Sequence, residues 1–142
     1  MSVIGELVRE AFGWLEDEGF RYAGEEDRLP WYSITTFERG PIAVLVHWDG
    51  KDHATWTVLA RGHRRLRWLP GRQLGLSHLD AGGGPTSNML PDPGADPTPL
   101  AKALAWDSDL LRTRGGRLLS GEKSAWAELA RLQEAHMKDI TG

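Results

Sequence analysis

Side chains that could bind a metal ion lie close together around Asp49-Gly50. His47 and Asp49 are two residues apart, and His53 follows shortly after them. Residues two apart on a strand point to the same face, and two imidazoles with one carboxylate form a common zinc ligand set. A tight turn at Asp49-Gly50, however, places His47 and His53 on opposite faces of a hairpin. We therefore expect a polar hairpin tip, with no metal and no other cofactor.

The residue types of a hydrolytic triad occur at His78 and Asp80, with Ser77 or Ser87 as the nucleophile. The chain contains no G-x-S-x-G sequence, so the nucleophile elbow of the hydrolases is absent. The run Gly82-Gly83-Gly84 lacks the Lys and Ser/Thr of a phosphate-binding loop. We therefore assign no catalytic residue and rank an enzyme below a binding protein.

An arginine-rich segment runs from Arg61 to Trp68 with the sequence RGHRRLRW. Residues 53–79 hold five arginines and no acid, whereas residues 1–30 hold eight acids and three arginines. Such asymmetry can attract a charged partner, although the two regions can also face each other in the fold. Arginine binds phosphate and a Trp68 ring can stack on a base, so nucleic-acid binding through residues 61–72 is one hypothesis. The alternation with Leu66 and Trp68 is also typical of a half-exposed strand.

Seven tryptophans in 142 residues are many for one small core. Trp31 and Trp48 stand at strand ends beside polar turns, where we expect them to be partly exposed. Tryptophan and arginine are the residue types most enriched in binding hot spots. The sequence therefore predicts a partner-binding set made of Trp31, Trp48, Arg64, Arg65, Arg67 and Trp68.

The first half of the chain predicts one helix followed by strands. Apolar residues at helical spacing indicate an amphipathic helix over residues 2–18, with Ser2 as N-cap and Gly19 as its left-handed end. Aromatic and β-branched runs predict strands at 20–23, 31–38, 42–48 and 53–60, with 64–69 as a candidate for one more and a polar loop at 25–30. Asp49-Gly50 predicts a two-residue hairpin turn that pairs Trp48 with Lys51, His47 with Asp52, Leu45 with Ala54 and Ala43 with Trp56.

The second half predicts a long loop and two helices. The segment from about 80 to 99 is rich in Gly and Pro, so we expect a flexible loop there. Thr98 is predicted to cap a helix whose first residue is Pro99 and which runs to about Arg114, and Ser120 caps another that runs to about Lys138. The predicted fold is α+β: an N-terminal helix, a three- to four-stranded antiparallel sheet with a central hairpin, the loop, and two C-terminal helices packed on the sheet.

Length and composition favour one α+β domain over residues 1–142. The absence of cysteine excludes disulfides and thiolate metal sites. The first residues lack the apolar run of a signal peptide, and no apolar run approaches the length of a membrane span. From these features we expect a cytoplasmic protein.

Two stretches resemble a known class of proteins. The run FERGPIAVLVHWDGKDHATWTVLA at Phe37–Ala60 and the later LLRxRGGxLLSGExxxW at Leu110–Trp126 are similar to small actinobacterial α+β proteins of the immunity type, found in polymorphic toxin systems. This resemblance implies a non-enzymatic protein that binds and blocks a protein partner of unknown identity. The N-terminal helix followed by a sheet also resembles secretion chaperones, which bind unfolded segments as dimers. The function predicted first is therefore a non-catalytic protein-binding module; nucleic-acid binding and chaperone-like binding are the alternatives.

Overall fold

The computed structural model describes residues 2–69, 72–80 and 83–141, with the backbone alone for residues 140 and 141. Within these residues the order is two short α-helices, five strands and three α-helices. The helices are α1 (Val3–Phe12), α2 (Trp14–Asp17), α3 (Thr98–Arg114), α4 (Gly116–Leu119) and α5 (Lys123–Thr141); the strands are β1 (Arg21–Leu29), β2 (Tyr32–Arg39), β3 (Ile42–Asp49), β4 (Ala54–Arg61) and β5 (Gln73–Gly75). The predicted α+β class is confirmed, with more strands than expected.

The five strands form one antiparallel meander in the order β1-β2-β3-β4-β5. Because side chains alternate along a strand, the sheet has two distinct faces. The helix face packs against the helices and carries the larger apolar side chains, among them Phe37, Val44, Val46, Trp48 and Leu59. The open face lies on the other side and carries Tyr32, Ile34, Leu45, His47, Trp56 and Val58.

The N-terminal helix begins and ends as its sequence predicts, but it is divided at Gly13. The Ser2 hydroxyl accepts a hydrogen bond from Gly5 N at 3.0 Å, which caps the start of α1. Gly19 has a left-handed φ of 92°, and Phe20 N donates to Leu15 O at 2.9 Å. This closing bond is the Schellman arrangement. It turns the buried Phe20 ring back onto the core and sets the direction in which β1 leaves.

The C-terminal helices differ from the prediction at Ser120. Helix α3 ends at Arg114 as predicted, but its N-cap is Pro97 rather than Thr98, which is the first helical residue and whose hydroxyl makes no capping hydrogen bond among the described residues. The next predicted helix is split into α4 and α5. Ser120 ends α4 rather than starting a helix: its hydroxyl donates to Arg117 O at 3.0 Å, and Gly121 follows with a φ of 80°. The break lets α5 turn so that Trp126 and Leu129 enter the same core as α1 and α3.

The predicted hairpin register is wrong, although the predicted faces are right. The last pair of β3 and β4 is Asp49–Ala54, so the turn holds four residues instead of two. Asp49 Oδ1 accepts from Lys51 N at 2.9 Å, and His53 adopts a left-handed φ of 50°. The hydrogen bond to Asp49 stabilises the wider turn. The left-handed conformation of His53, which is unfavourable for a non-glycine residue, is held by hydrogen bonds between His53 and Leu90 of the later loop. Each β3 residue therefore pairs four positions further along β4 than predicted, and an even shift keeps every side chain on its face.

Two further sequence interpretations are corrected by the structure. Strand β1 extends to Leu29, through the stretch 25–30 predicted as a polar loop, because it pairs with β2 along its length. The candidate strand 64–69 is instead an irregular segment with a 3-10 helix at Leu66–Trp68. The fifth strand, β5, follows it. Pro70 and Gly71, at which that strand was predicted to end, lie outside the described residues.

The Gly/Pro-rich stretch has no regular structure from residue 83 to Pro97, while Ala81 and Gly82 lie outside the described residues. Backbone hydrogen bonds attach its middle to the β3–β4 hairpin: Thr55 N donates to Ser87 O at 2.8 Å and Leu90 N to His53 O at 3.0 Å. Leu90 is buried. The loop thus covers the hairpin end of the core, and its expected flexibility stays a prediction.

Among the described residues, no helix is both long enough and apolar enough to span a membrane.

The burial of two tryptophans gives a first test of this fold. Trp48 is 8% exposed and lies in the main core, whereas Trp31 is 45% exposed. We expect Trp48→Ala to lower the free energy of unfolding by about 3–5 kcal/mol, because it leaves a cavity. Trp31→Ala should change it by about 0.5 kcal/mol, as is usual at exposed positions. Urea unfolding followed by circular dichroism measures both, and equal losses would contradict the assignment of Trp48 to the core.

Candidate functional site

The six residues predicted to bind a partner fall into two separate groups. Trp31 and Trp48 line a cleft of about 500 Å³ beside the acids Glu25, Asp27 and Asp92. Arg64, Arg67 and Trp68 line a smaller cleft on the open face together with Leu45. Arg65 is exposed on the same segment. The six residues therefore do not form one surface.

Two of these six residues are less accessible than predicted. Trp48 is buried in the core, with the ring of His53 stacked on it at 5.8 Å between centroids. The prediction that Trp48 is partly exposed is wrong. The helices pack on its side of the sheet, and the loop that carries Leu90 covers the hairpin end. Arg67 is only 5% exposed, so its guanidinium is used within the fold rather than at the surface.

Residues 62–69, which we term the crossing segment, are attached to the open face through Glu38 of β2. The Glu38 carboxylate accepts from Arg67 Nη1 at 3.0 Å and also pairs with Arg64 and Arg21. The hydrogen bond from Arg64 is the largest effect that lowers the pKa of Glu38 to about 2; Arg67 and Arg21 act in the same direction and burial opposes them. Glu38 is thus a permanent anion that holds three arginines.

The structure disperses the arginines that suggested nucleic-acid binding. Arg61 stacks on Trp126 of α5, on the helix side, at 5.2 Å from the ring centroid. Arg64 and Arg67 are both paired with Glu38. Of the arginines at 61–67, only Arg65 is without an acidic or aromatic partner among the described residues. A phosphate-binding surface needs several free cations on one face, and this segment offers few.

An open groove of about 440 Å³ lies between the sheet and the end of the crossing segment. We term it the open-face groove; it is lined by Arg28, Tyr32, Ile34, His47, Arg67, Trp68, Leu69 and Gln73. Trp68 and Leu69 form an exposed rim, at 44% and 48% exposure. Arg28 lies across the Trp68 ring, 3.8 Å from its centroid. The groove combines aromatic walls with two arginines, and no acid lines it.

A chain of hydrogen bonds fixes His47 in the floor of this groove. The Gln73 side-chain amide donates to Arg67 O at 3.1 Å, so its Oε1 is left to accept from His47 Nε2 at 3.2 Å. His47 Nδ1 therefore has no proton and accepts from the Tyr32 hydroxyl at 2.6 Å. Burial is the main cause that lowers the pKa of His47 to about 4, and the charge of Arg28 lowers it further. The imidazole is neutral at neutral pH.

The aromatic rings around His47 form one stack. Trp56, its cross-strand partner, stacks on the imidazole with centroids 5.1 Å apart and an angle of 14° between the planes. Tyr32 contacts both rings edge-on. Burial raises the pKa of the Tyr32 phenol, as does the charge of Asp49. Trp56 remains 38% exposed, so this rigid stack reaches solvent.

Sequence reasoning did not select the residues that form most of this groove. Arg28, Tyr32, His47 and Gln73 of its lining were not in the predicted set, nor was Trp56, which stacks on His47. The register predicted for the hairpin placed Trp56 opposite Ala43 rather than His47, which hid the stack. The available signal was the position of Tyr32, His47 and Trp56 near one end of three consecutive strands.

The other histidines offer little chemistry. His53 Nδ1 lies 2.8 Å from Leu90 O and serves the attachment of the loop. His78 Nδ1 and His136 Nδ1 are 2.9 Å apart, and the pKa of His78 is lowered mainly by burial. Within residues 2–69, 72–80 and 83–141, no group of three or more His, Asp or Glu side chains could hold a metal ion. That the protein uses no metal or cofactor stays a prediction.

No family model matches this chain, and comparisons with curated protein sequences and with solved structures also give no match. The site is therefore interpreted from its own residues.

The neutral His47 predicts a dependence of stability on pH. Unfolding raises the pKa of His47 from about 4 to the ordinary value of 6.5, so the unfolded chain takes up a proton between these values. Its contribution to stability is present above pH 6.5 and is lost as the pH falls to 4. At about 1.4 kcal/mol per pKa unit, we expect the stability of wild type relative to His47→Gln to fall by about 3 kcal/mol from pH 7 to pH 4. Equilibrium urea unfolding at each pH measures this difference.

For Asp107 we expect stability to change with pH in the opposite direction, over nearly the same pH range. It lies under the helix face, accepts from the Thr57 hydroxyl at 2.9 Å, and burial raises its pKa from 3.8 to about 6. The folded protein therefore binds the extra proton, and stability falls as the pH rises from 4 to 6. We expect wild type to lose stability relative to Asp107→Asn on going from pH 4 to pH 7. If the stability difference from wild type changed with pH in the same direction for His47→Gln and Asp107→Asn, the assignments of a lowered His47 pKa and a raised Asp107 pKa would be wrong.

Removal of the Glu38 charge should release the crossing segment. Glu38→Gln leaves the buried Arg67 guanidinium without its counter-ion, and such a loss typically costs about 3–5 kcal/mol. Glu26→Gln is the matched control, because Glu26 makes only a 3.7 Å ion pair with Arg28 and is 63% exposed. We expect less than about 0.5 kcal/mol there. Urea unfolding, together with proteolysis between residues 62 and 69, measures both effects.

Proposed function

We propose that this protein is a non-catalytic protein-binding module that holds its partner on the open face of the sheet. The observation that carries the proposal is the exposed apolar rim at one end of that face. Trp56, Trp68 and Leu69 are between 38% and 48% exposed. Trp68 and Leu69 line the open-face groove, and Trp56 stacks on His47 in its floor. Contiguous apolar surface of this kind commonly marks an interaction site.

Two rings of the rim are held by contacts within the fold, which favours binding. Trp56 is held by its stack on His47, and Trp68 by the Arg28 guanidinium. Side chains that are already ordered lose little conformational entropy when a partner binds. Exposed tryptophans that are fixed in this way have the character of binding hot spots.

The charges near the rim favour an acidic partner. Arg28 makes only a 3.7 Å ion pair with Glu26, and Arg21, Arg64 and Arg67 share Glu38. With Arg65, these five arginines outnumber the nearby acids Glu25, Glu26 and Glu38. Complementary charge increases the rate of association and the selectivity for partners. The resemblance to immunity proteins agrees with such a surface, so we propose that the partner is a protein whose activity is blocked.

Nucleic-acid binding and chaperone-like binding are weaker proposals. The dispersal of Arg61, Arg64 and Arg67 over different partners leaves few cations for a phosphate backbone. A dimeric chaperone would bury the same rim between two copies. Nucleic-acid binding is one outcome of the experiment below.

The test compares the double variant Trp56→Ala, Trp68→Ala with the control Trp106→Ala. Trp106 is 43% exposed but lies on α3, on the other side of the sheet. We expect wild type and Trp106→Ala to capture the same protein from a lysate of the source cells, and the double variant to bind the purified partner at least about 30-fold more weakly, since each hot spot is worth about 2 kcal/mol. Isothermal titration calorimetry measures the affinities, and thermal unfolding confirms that each variant is folded.

Three results would overturn the proposal or its details. A double variant that keeps the full affinity for the partner removes the open face as the interface. Tight, salt-dependent binding of wild type to single-stranded or duplex nucleic acid supports the nucleic-acid alternative. A captured partner that does not slow bacterial growth when expressed alone, or whose effect this protein does not relieve, contradicts inhibition of a toxic partner.

A further inference from the structure

We propose that the open-face groove binds a carboxylate carried next to an aromatic ring, and that the partner presents such a group to Arg28. The proposal rests on the proposed function only for the partner; binding of a small aromatic carboxylate can be tested separately. It follows from the charge of the groove, from the free hydrogen-bond donors of Arg28 and from the arrangement of the aromatic rings.

The lining of the groove favours an anion. Its titratable and charged side chains are Arg28, Arg67, Tyr32 and His47, and no Asp or Glu lines it. Tyr32 is uncharged, since burial raises the pKa of its phenol, and His47 is neutral. The cleft beside Trp31 and Trp48 is the opposite case, because Glu25, Asp27 and Asp92 line it without any Lys or Arg. The two clefts are thus sorted by charge.

Arg28 is the group available to hold the anion. Arg67 is committed to Glu38 at 3.0 Å and to Gly62 O. Arg28 makes no hydrogen bond among the described residues, and its nearest acid, Glu26, is 3.7 Å from Nη2. That separation exceeds the usual length of an N–H···O bond. A guanidinium with free donors, placed 3.8 Å from the centroid of the Trp68 ring, can bind a carboxylate through two parallel hydrogen bonds.

The walls of the groove favour an aromatic ring beside the carboxylate. Trp68 forms the rim, while Tyr32 and His47 form the floor next to Trp56. Aromatic pairs prefer offset or edge-on contacts with centroids about 4.5–7 Å apart. The volume of about 440 Å³ lies within the range of about 300–1,000 Å³ usual for small ligands.

The experiment uses three small probes that differ in one feature each. N-acetylphenylalanine carries the ring and the carboxylate, its amide lacks the charge, and N-acetylalanine lacks the ring. Titrations of the full chain are followed by the NMR signals of the Trp56 and Trp68 indole N–H groups and of the His47 ring. We expect N-acetylphenylalanine to shift these signals and to bind at least about fivefold more tightly than either of the other probes.

Variants identify the residue that holds the anion. Arg28→Met should reduce the affinity for N-acetylphenylalanine to that of its amide, and Arg28→Lys should retain part of the difference. Arg65→Met is the matched control, because Arg65 lies on the crossing segment but does not line the groove. Equal affinity for acid and amide in wild type, or an unchanged preference in Arg28→Met, overturns the inference.

These outcomes are separable from those of the proposed function. If no probe binds while the partner still depends on Trp56 and Trp68, the open face is the interface and the aromatic carboxylate is the wrong group. If the probe binds through Arg28 while the partner ignores the open face, the groove is a small-molecule site and the proposed function fails.

Discussion

The ion pair between Glu38 and Arg67 sets the position of the crossing segment. Arg67 is 5% exposed, so its guanidinium requires a counter-ion within the fold. Glu38 supplies it from β2 and at the same time holds Arg21 and Arg64. Because Trp68 directly follows Arg67, this pair also places the Trp68 ring over Arg28. The groove therefore depends on the Glu38 carboxylate. This group lies on β2, two strands away from β4, which the crossing segment follows.

The open face differs from the solvated face of an ordinary antiparallel sheet. Such faces usually carry polar residues, but here Ile34, Leu45 and Val58 are buried. His47 is buried among them, and its hydrogen bonds to Tyr32 and Gln73 satisfy both ring nitrogens without a charge. A neutral, fully bonded imidazole costs much less to bury than a charged one. The face thus combines an apolar interior with an aromatic rim.

Four of the tryptophan rings have a cation placed over them. Arg112 lies over Trp14, Lys51 over Trp31, Arg28 over Trp68 and Arg61 over Trp126. These contacts cover aromatic surface with a long side chain whose charged end stays solvated. Of these residues, Arg61 and Trp68 belong to the arginine-rich segment that suggested nucleic-acid binding. In the fold both are paired within the protein, and Arg64 and Arg67 of that segment pair with Glu38.

The sequence by itself determined the class of fold and the local structure. The N-cap at Ser2, the left-handed Gly19, the C-terminal end of α3 and the faces of β3 and β4 follow from short-range patterns, because capping, turns and alternation depend on neighbouring residues. Only the tertiary structure decided the hairpin register, the burial of Trp48 and the route of residues 62–69. Each depends on a contact between residues far apart in the chain: His53 with Leu90, Trp48 with the core, and Arg67 with Glu38. The groove depends on all of these long-range contacts together, so no local sequence pattern could predict it.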